Sequence, residues 1–509
     1  MQKHTRLEVR NRPGSSMGAR AWGCGAAMVG VAFPSRVRCG TGRAWAGRHL
    51  PVLPRLDIFP KCGILFLFIL PGMTGAQKEM NPMKYAFDNA NLIDGTKDMR
   101  VQPGLCVLTD GETITDIVPA GTAPAGYTRI DLRGRYLLPG LINMHVHLAG
   151  SGKIQKKQRD NERLVRRILS NPVSRAVAYR MVCGFARDEL LGGVTTIRTV
   201  GGLSTFDTRL RDEIQSGRRV GPRILAANEG ISVPGGHMAG SVAVAAETID
   251  QALAQVDAVH AQGADLVKLM ITGGVMDAKE RGVPGELKMP PEMVRAVCER
   301  AHALGYTVAA HTESPEGVRV ALENGVDSIE HGAQPDDEIL RLFHERGAFL
   351  CVTLSPALPY ALFDRTVTHL TEVEQFNGNV VFEGMVACAK AALEHDIPVV
   401  LGNDVGCQWI AQYDFWRELC YFHKYAGASN ACALYCATGQ SARLAGLGDV
   451  TGTLAPGLSA DMIVAAQNPL ENLRVLRTLD MVVARGRVID RPKVKRNAQL
   501  DAGLDPLLA

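Results

Sequence analysis

The sequence has no large excess of charge of either sign, which restricts its partners. Its 509 residues contain 56 lysines and arginines against 52 aspartates and glutamates, a net charge of only +4 at pH 7. It also lacks a basic cluster with interleaved aromatic residues, the pattern that nucleic-acid binding requires. The composition therefore argues against nucleic acid as a partner.

Cysteine pairs and long apolar runs are also missing. None of the 12 cysteines belongs to a Cys-x-x-Cys motif, which fits a reducing compartment better than a disulfide framework. Cys432 and Cys436 lie one helical turn apart, as ordinary helix packing would place them. The apolar run at residues 62–70 is too short to span a bilayer. With 46% hydrophobic and 21% charged residues, the chain has the composition of a globular protein with a large core.

Residues 1–82 differ in composition from the rest of the chain. They are rich in arginine, glycine, proline and tryptophan and have no clear periodicity. We expect a disordered leader or an over-long gene model, with the true start at Met73, Met80 or Met83. Residues 55–76 have the parts of an export signal, but they lie too far from the N-terminus. We therefore expect a cytoplasmic protein, with export through this segment as the alternative.

Beyond the leader, the patterns predict a β-rich region at each end of a long alternating region. Residues 83–139 contain short strand-like segments with turn signals such as Asp94-Gly95. Strand-like and helix-like segments alternate over residues 140–448, and strand patterns return in residues 449–509. We expect the two terminal segments to pack into one small discontinuous β-sandwich domain.

The alternating region contains eight candidate strands. They begin at Leu141, Thr195, Arg223, Leu266, Thr307, Ser328, Ala348 and Pro398. Alternation of strands and helices implies a parallel sheet, and eight such units fit a (β/α)8 barrel with insertions. An open, doubly wound sheet is the alternative fold.

Two histidines at alternate positions of the first candidate strand suggest a metal site. His145 and His147 end an apolar run, and their side chains point the same way because side chains alternate along a strand. Two neutral imidazoles side by side suit a transition metal. A lone His-x-His pair is a weak signal, so the assignment depends on further ligands.

Four further candidates lie in similar apolar, strand-like segments: Lys268, His311, His331 and Asp404. A bare lysine in such a run is costly unless it is paired or chemically altered. One buried histidine is usually a core residue, but five such segments in one chain are hard to explain that way. In a barrel they would fall on strands one, four, five, six and eight, near the carboxyl ends where barrel active sites are built.

These segments resemble the amidohydrolase superfamily, and in particular its imidazolonepropionase-related branch. That branch includes metal-dependent Xaa-Pro and Xaa-Arg dipeptidases and ochratoxin-type amidases. The resemblance rests on motifs at residues 140–147, 193–198, 267–268, 273–274, 310–311, 329–332, 402–404, 452–457 and 460–461. It implies a (β/α)8 TIM barrel with a small discontinuous β-sandwich domain.

The resemblance also implies a site for two divalent metal ions, most simply Zn²⁺. His145, His147 and Asp404 would bind one ion, His311 and His331 the other, and Lys268, carboxylated by CO₂, would bridge them. A carbamate turns a cation that cannot ligate into an anion with two oxygens, which also explains a lysine in an apolar strand. Some relatives use one metal, but six filled positions favour two. These ligands also suit manganese, cobalt or iron.

In this scheme the two metals share a hydroxide and lower its pKa, and the hydroxide attacks a carbonyl carbon. Asp404 would take the proton and pass it to the leaving amine. His237 ends a Gly-Gly-His sequence in the loop after strand three, and this loop resembles the corresponding loop of the family. The resemblance implies that His237 would bind the substrate and stabilise a developing oxyanion.

The substrate-binding loops depart from the family pattern. Dipeptidases of this branch often carry a tyrosine two residues after the strand-five histidine, with an arginine soon after. Here that position is Glu313, and the next arginine is Arg319. Glu313 either faces the site, where it would pair with an amine or guanidinium of the substrate, or is hydrogen-bonded within its loop.

Aromatic residues follow strands seven and eight and form either a pocket wall or ordinary core: Tyr360, Trp409, Tyr413 and Trp416. Cys407 has no base partner, so we do not expect it to act as a nucleophile.

The leading hypothesis is hydrolysis of an amide bond in a dipeptide or N-acyl amino acid. The alternatives are hydrolysis of a cyclic amide, as in imidazolonepropionase, and a metal-free scaffold, which the intact ligand set disfavours. We expect a small-molecule substrate, no stable membrane span and a homo-oligomer.

Overall fold

The described chain begins with five strands. A computed structural model describes residues 83–154 and 160–508, so the expectations for residues 1–82 lie outside the described residues. The first strands are β1 (Lys84–Ile93), β2 (Val101–Asp110), β3 (Thr113–Pro119), β4 (Thr128–Asp131) and β5 (Tyr136–Pro139). They occupy the segment for which the turn signals predicted strands.

Ten strands follow in the alternating region, and every pairing among them is parallel. They are β6 (Leu141–Val146), β7 (Val194–Thr199), β8 (Arg223–Leu225), β9 (Gly230–Ser232), β10 (Ala243–Ala245), β11 (Leu266–Met270), β12 (Thr307–Thr312), β13 (Ser328–His331), β14 (Phe349–Val352) and β15 (Val399–Leu401). Each predicted strand start lies within one residue of an observed start. The three-residue strands β9 and β10 were not predicted.

Three more strands follow the alternating region and pair into the same sheet as the first five. They are β16 (Met462–Ala465), β17 (Leu479–Ala484) and β18 (Arg487–Asp490). One eight-stranded sheet has the order β18-β17-β16-β5-β1-β2-β3, with β4 paired to β1. The amino-terminal and carboxy-terminal segments of the described chain are thus hydrogen-bonded together through β5 and β16.

Helices separate most strands of the alternating region. They are α1 (Asn161–Ser170), α2 (Pro172–Leu191), α3 (Phe206–Gln215), α4 (Ile249–Ala261), α5 (Pro291–Ala303), α6 (Pro315–Glu323), α7 (Asp337–Arg346), α8 (Leu354–Leu362), α9 (Arg365–Thr368), α10 (Glu372–Glu394), α11 (Phe415–Ala426), α12 (Asn430–Cys436), α13 (Gly439–Leu444) and α14 (Ala498–Leu504), with 3₁₀ turns at Leu473–Arg477 and Asp505–Leu508. Side-chain caps begin several of them, as Ser314 does for α6 and Asp336 for α7. Among the described residues, no helix is long and apolar enough to cross a bilayer.

Backbone hydrogen bonds join the two parallel sheets into a closed ring. The amide of Asp265, just before β11, donates to the carbonyl of Ala226, just after β8, at 2.8 Å. On the opposite side, the amide of Asp404 donates to the carbonyl of His145 at 3.0 Å. The chain therefore has an α/β fold with a TIM-barrel-like domain, in which the carboxyl ends of the parallel strands meet at one rim.

The barrel strands are buried on both faces, which explains why they lack an alternating pattern. Every residue of β6, β7 and β11 is buried. Parallel strands covered by helices are normally apolar throughout. The charged residues inside these strands, Arg198 of β7, Lys268 of β11 and Glu330 of β13, therefore need partners or a function.

Candidate metal centre and active site

The six predicted metal ligands lie at the carboxyl rim of the barrel. They are His145 on β6, His147 just after it, Lys268 on β11, His311 on β12, His331 at the end of β13 and Asp404 just after β15. None exposes more than 8% of its surface. Parallel strands of a barrel end at the same rim, so residues far apart in sequence converge there.

The nitrogens of the first two histidines converge on Asp404. Nε2 of His145 and Nε2 of His147 each lie 3.4 Å from Oδ1 of Asp404. The ring of His331 lies 4.8 Å from that of His145 and 4.7 Å from that of His311, measured between centroids. The ligand atoms of His145, His331 and Asp404 lie within 4.8 Å of one another. The four imidazoles and the carboxylate thus form one continuous cluster.

The second ring nitrogen of each histidine has its own protein partner. Nδ1 of His145 lies 2.7 Å from Glu330, and Nδ1 of His147 lies 2.9 Å from the carbonyl of Gly201. Carboxylate and carbonyl oxygens only accept hydrogen bonds, so the proton belongs on Nδ1 and Nε2 keeps its lone pair. Partners of this kind orient metal-binding histidines.

The other two histidines follow the same arrangement. Nε2 of His311 donates to the carbonyl of Gly273 at 3.3 Å, which leaves Nδ1 of this ring for another ligand. Nδ1 of His331 lies 2.6 Å from the hydroxyl of Thr353, which leaves Nε2. Each ring therefore keeps one nitrogen for a metal and uses the other for orientation.

Burial keeps these histidines neutral. It lowers the pKa of His145, His311 and His331 well below the ordinary value, and nearby positive charges, including that of Lys268, lower it further. Burial also lowers the pKa of His147, although Asp404 partly opposes this. Neutral imidazole is the form that binds metals, so the site needs little proton release to accept them.

Lys268 has a buried amine without a hydrogen-bond partner. Its Nζ contacts no acceptor among the described residues, although the residue is only 1% exposed. Burial lowers the pKa of Lys268 to about 8, with the carboxylates of Glu330 and Asp404 opposing the shift. An amine with this pKa is partly uncharged near neutral pH, and an uncharged amine is the form that can react with CO₂.

A buried ion pair supports His145, the first of the predicted metal ligands. Arg198 donates to Glu330 at 2.7 Å, and the other carboxylate oxygen of Glu330 accepts the bond from His145. The hydroxyl of Ser328 also donates to Glu330, at 2.7 Å. Burial alone would raise the pKa of Glu330, but Arg198, Lys268 and Ser328 hold it below the ordinary value, so the carboxylate is ionised.

The sequence motifs contained Arg198 and Glu330 but gave them no role. The signal that could have identified Arg198 and Glu330 is the one used for Lys268, namely a charged residue inside an apolar strand. Glu330 also lies within ligand distance of His145 and Cys351. That group is a poor metal site, because Glu330 is already bonded to Arg198 and burial raises the pKa of the Cys351 thiol well above its usual range.

The backbone is strained at two of the proposed ligands. His331 has φ of 69° and Asp404 has φ of 53°, both in the left-handed region. Such a conformation costs about 1–3 kcal/mol per non-glycine residue and is common at functional sites.

Gly402 lets the last barrel strand, β15, approach β6. It lies against the backbone and Cβ of His145, where any side chain would overlap.

Three polar side chains, those of His237, Asp277 and Glu313, lie beside the cluster. His237 stacks on His311 with ring centroids 4.0 Å apart and an interplanar angle of 6°. Its Nδ1 lies 2.6 Å from Oδ2 of Asp277, a residue that the sequence analysis missed because its loop has no periodic pattern. Oε2 of Glu313 accepts a hydrogen bond from the amide of Val275 at 3.0 Å.

Burial raises the pKa of Glu313 to about 7, although the neighbouring His237 lowers it. For His237, burial would lower the pKa, but Asp277, Glu313 and Asp404 outweigh it and raise the pKa above the ordinary value. A histidine with a raised pKa therefore lies beside a carboxyl group whose pKa is also raised.

Most of the aromatic candidates belong to the core. Trp409, Tyr413 and Trp416 are all buried, and the first two pack against the helix α14. Burial raises the pKa of Tyr360, and the charges of Asp404 and Glu313 raise it further, so this partly exposed residue lies close to the site. Burial raises the pKa of Cys407 well above its usual range, which keeps the thiol protonated.

The residues present fit a metal site. Four neutral imidazoles, an oxygen of Asp404 without a hydrogen-bond partner and an unpaired buried amine lie at one rim of the described chain. Imidazole and carboxylate ligands suit zinc and similar transition metals. Without such ions, this number of buried polar groups would be costly.

Comparison with known proteins identifies the family. Residues 136–489 match the sequence model of the Amidohydrolase family, and the chain belongs to it. A prolidase-like protein of Bifidobacterium longum is 35% identical, with a TM-score of 0.74 over 84% of this chain and 99% of the other. A Xaa-Pro dipeptidase solved with methionine in its active site is 29% identical, with a TM-score of 0.71 over 80% of this chain and all of the other.

A curated relative has another substrate in its name. Ochratoxinase of Aspergillus niger is 22% identical over 366 residues, which cover 67% of this chain and 72% of the relative. These matches agree with the branch that the motifs indicated. The chain is therefore a hydrolase that acts on carbon–nitrogen bonds.

Proposed function

We propose that the protein is a metal-dependent amidohydrolase that cleaves the amide bond of a dipeptide or an N-acyl amino acid. The observation that carries this proposal is the cluster of four histidines, Asp404 and an unpaired Lys268 at the carboxyl rim. The names of two similar proteins, a Xaa-Pro dipeptidase and ochratoxinase, support a small amide substrate.

The ligand set divides between two divalent ions, most simply Zn²⁺. We assign His145, His147 and Asp404 to one ion, His311 and His331 to the other, and Lys268, as a carbamate, to both. When bound, the ions supply Lewis-acid polarisation and lower the pKa of water. The protein contributes the orientation, because a fixed partner holds each imidazole.

Asp404 is suited to move the proton during hydrolysis. Its Oδ1 has no hydrogen-bond donor among the described residues. A water oxygen adds to the carbonyl carbon, and Asp404 takes a water proton and delivers it to the leaving nitrogen. The carbon–nitrogen bond then breaks, and the products are a free amine and a carboxylic acid, which loses the second water proton to solvent and becomes a carboxylate.

His237 and Glu313 form the substrate side in this proposal. In the described chain, Nε2 of His237 has no protein partner, and His237 lies directly over His311, so Nε2 can reach the carbonyl oxygen of a bound substrate. Glu313 uses one oxygen for the amide of Val275, which leaves the other for a cationic group of the substrate.

The test is a panel of dipeptides, N-acyl amino acids and cyclic amides incubated with zinc-loaded protein, with the free amine quantified. We expect release from linear substrates by the wild type and none by Lys268→Ala. Release from cyclic amides alone would replace the proposal with a cyclic-amide hydrolase. No release from any substrate, together with no bound metal, would leave a non-catalytic scaffold.

The domain arrangement is inferred with the function. We infer that residues 83–139 and 449–509 form the discontinuous β-sandwich domain and that residues 140–448 form the catalytic barrel. The pairing of β5 with β16 supports this division, because it ties the two terminal segments together beside the start of the barrel.

A further inference from the structure

Asp277 is a carboxylate beside the proposed site that has no role in the ligand set. It lies in the loop between β11 and α5, and its Oδ2 is 2.6 Å from Nδ1 of His237. About a third of its side chain is exposed, and that of His237 is 20% exposed. The two residues are far apart in sequence and meet only through the barrel.

The carboxylate of Asp277 is itself held in place. The same Oδ2 accepts a hydrogen bond from the amide of Gly274 at 2.9 Å. A Cβ atom on Gly274 would lie 3.1 Å from both Cε1 and Nδ1 of His237, so glycine lets the ring sit against this peptide. The turn therefore positions the acceptor and leaves space for the imidazole.

The rest of the loop is anchored to α10. Asn377 accepts a hydrogen bond from the amide of Gly282 at 2.7 Å and donates to the carbonyl of Glu280 at 2.9 Å. Asn377 is fully buried. A side chain that satisfies both backbone groups fixes the loop that carries Asp277.

The ring of His237 is thus restrained on two sides. Asp277 holds Nδ1, and His311 stacks against the face of the ring at 4.0 Å. Because Oδ2 of Asp277 acts as an acceptor for Gly274, the hydrogen of the shorter bond belongs on Nδ1 of His237. Nε2 is then the only nitrogen of this ring that can meet a substrate.

We propose that Asp277 is a positioning residue that accepts a hydrogen bond from Nδ1 of His237 and so directs the Nε2–H group of this ring to the substrate carbonyl oxygen. The proposal rests on the proposed function, since it assigns His237 to the substrate. It differs from a purely structural role, in which Asp277 would only fix the turn at Gly274.

A double-mutant cycle separates these two roles. We expect Asp277→Ala to lower kcat/KM roughly 10–100-fold, mainly through kcat, with the metal content unchanged. In a His237→Ala background the same change should have no further effect beyond about twofold. Asp277→Asn should recover most of the activity, because its amide oxygen can accept both hydrogen bonds. Glu280→Ala, an exposed carboxylate in the same loop, is the matched control and should behave as the wild type.

An equal loss in both backgrounds would overturn the proposal in favour of a structural role, and no loss in the wild-type background would overturn it outright. A second readout does not require turnover. In nitrogen-15 NMR of labelled histidines, His237, assigned with His237→Gln, should carry a hydrogen-bonded proton on Nδ1 in the wild type and in Asp277→Asn. In Asp277→Ala the hydrogen-bonded Nδ1 proton of His237 should be lost.

A proton found only on Nε2 of wild-type His237 would refute the inference. If the wild type cleaves no amide but shows the hydrogen-bonded Nδ1 proton of His237 and its loss in Asp277→Ala, the proposed function fails and the positioning role stands. The two failures are thus distinguishable.

Discussion

At the residue scale, the proposed metal centre depends on the partners of its candidate ligands. The ion pair between Arg198 and Glu330 is fully buried, and Glu330 also orients His145. Breaking a buried pair leaves an uncompensated charge, which is far more costly than breaking an exposed pair.

Glu330→Gln should therefore destabilise the metal-free protein by about 3–5 kcal/mol, because Arg198 loses its counter-charge. It should also weaken zinc binding by roughly 10–100-fold through the orientation of His145. Urea unfolding and competition with a chelating dye measure these effects. Glu338→Gln removes an exposed carboxylate that pairs with Arg319 and should cost at most about 1 kcal/mol. Equal costs for the two variants would contradict this account.

Glu313 is a specificity residue in our proposal. Glu313→Gln should lower kcat/KM about 10–100-fold for substrates with an amine or guanidinium and leave neutral substrates unchanged, because a charged hydrogen bond contributes about 1.5–3 kcal/mol. Glu316→Gln, in the first turn of α6, is the control. If the preference for cationic over neutral substrates stays the same in Glu313→Gln, the residue does not select them.

At the element scale, the segment after β15 is supported by the carboxy-terminal helix α14. Leu500 and Leu504 of this helix pack against Trp409 and Tyr413. The backbone amide of Asn497 donates to the hydroxyl of Tyr413 at 2.5 Å. Asp404 lies at the start of the segment that these contacts hold, so the helix stabilises one edge of the site.

Leu500→Ala should cost about 2–5 kcal/mol of stability, since the side chain is buried and leaves a cavity. We also expect kcat/KM to fall by about tenfold to 10²-fold, because small displacements of Asp404 are costly to catalysis. Leu164→Ala, an exposed position on α1, should change stability by less than about 0.5 kcal/mol. A loss of stability in Leu500→Ala with unchanged kcat/KM would show that α14 does not support the position of Asp404.

The sequence patterns were sufficient for the main elements and insufficient for the contacts between loops. The strand starts and the five segments that carry the candidate ligands could be predicted, because buried parallel strands are apolar runs in which a histidine or a charged residue stands out. Asp277 could not be predicted, because its partner His237 lies in another loop and only the closed barrel brings them together. The pairing of Arg198 with Glu330 likewise depends on strands that are not sequence neighbours.

At the scale of the whole molecule, the barrel brings together groups that would be unfavourable without a ligand. Lys268 is buried without a hydrogen-bond partner, and His331 and Asp404 adopt a strained backbone conformation. Ions that bind only the folded state would compensate these costs and stabilise the fold. The formation of a homo-oligomer stays a prediction.

The most direct test is a zinc titration of protein stripped of metal with a chelator, with bound zinc and amine release followed together in the presence of bicarbonate. The account predicts no release without zinc, and binding and activity that both reach their plateau at two zinc ions per chain. Full activity without metal, or full activity at one zinc ion per chain, would contradict the two-metal centre.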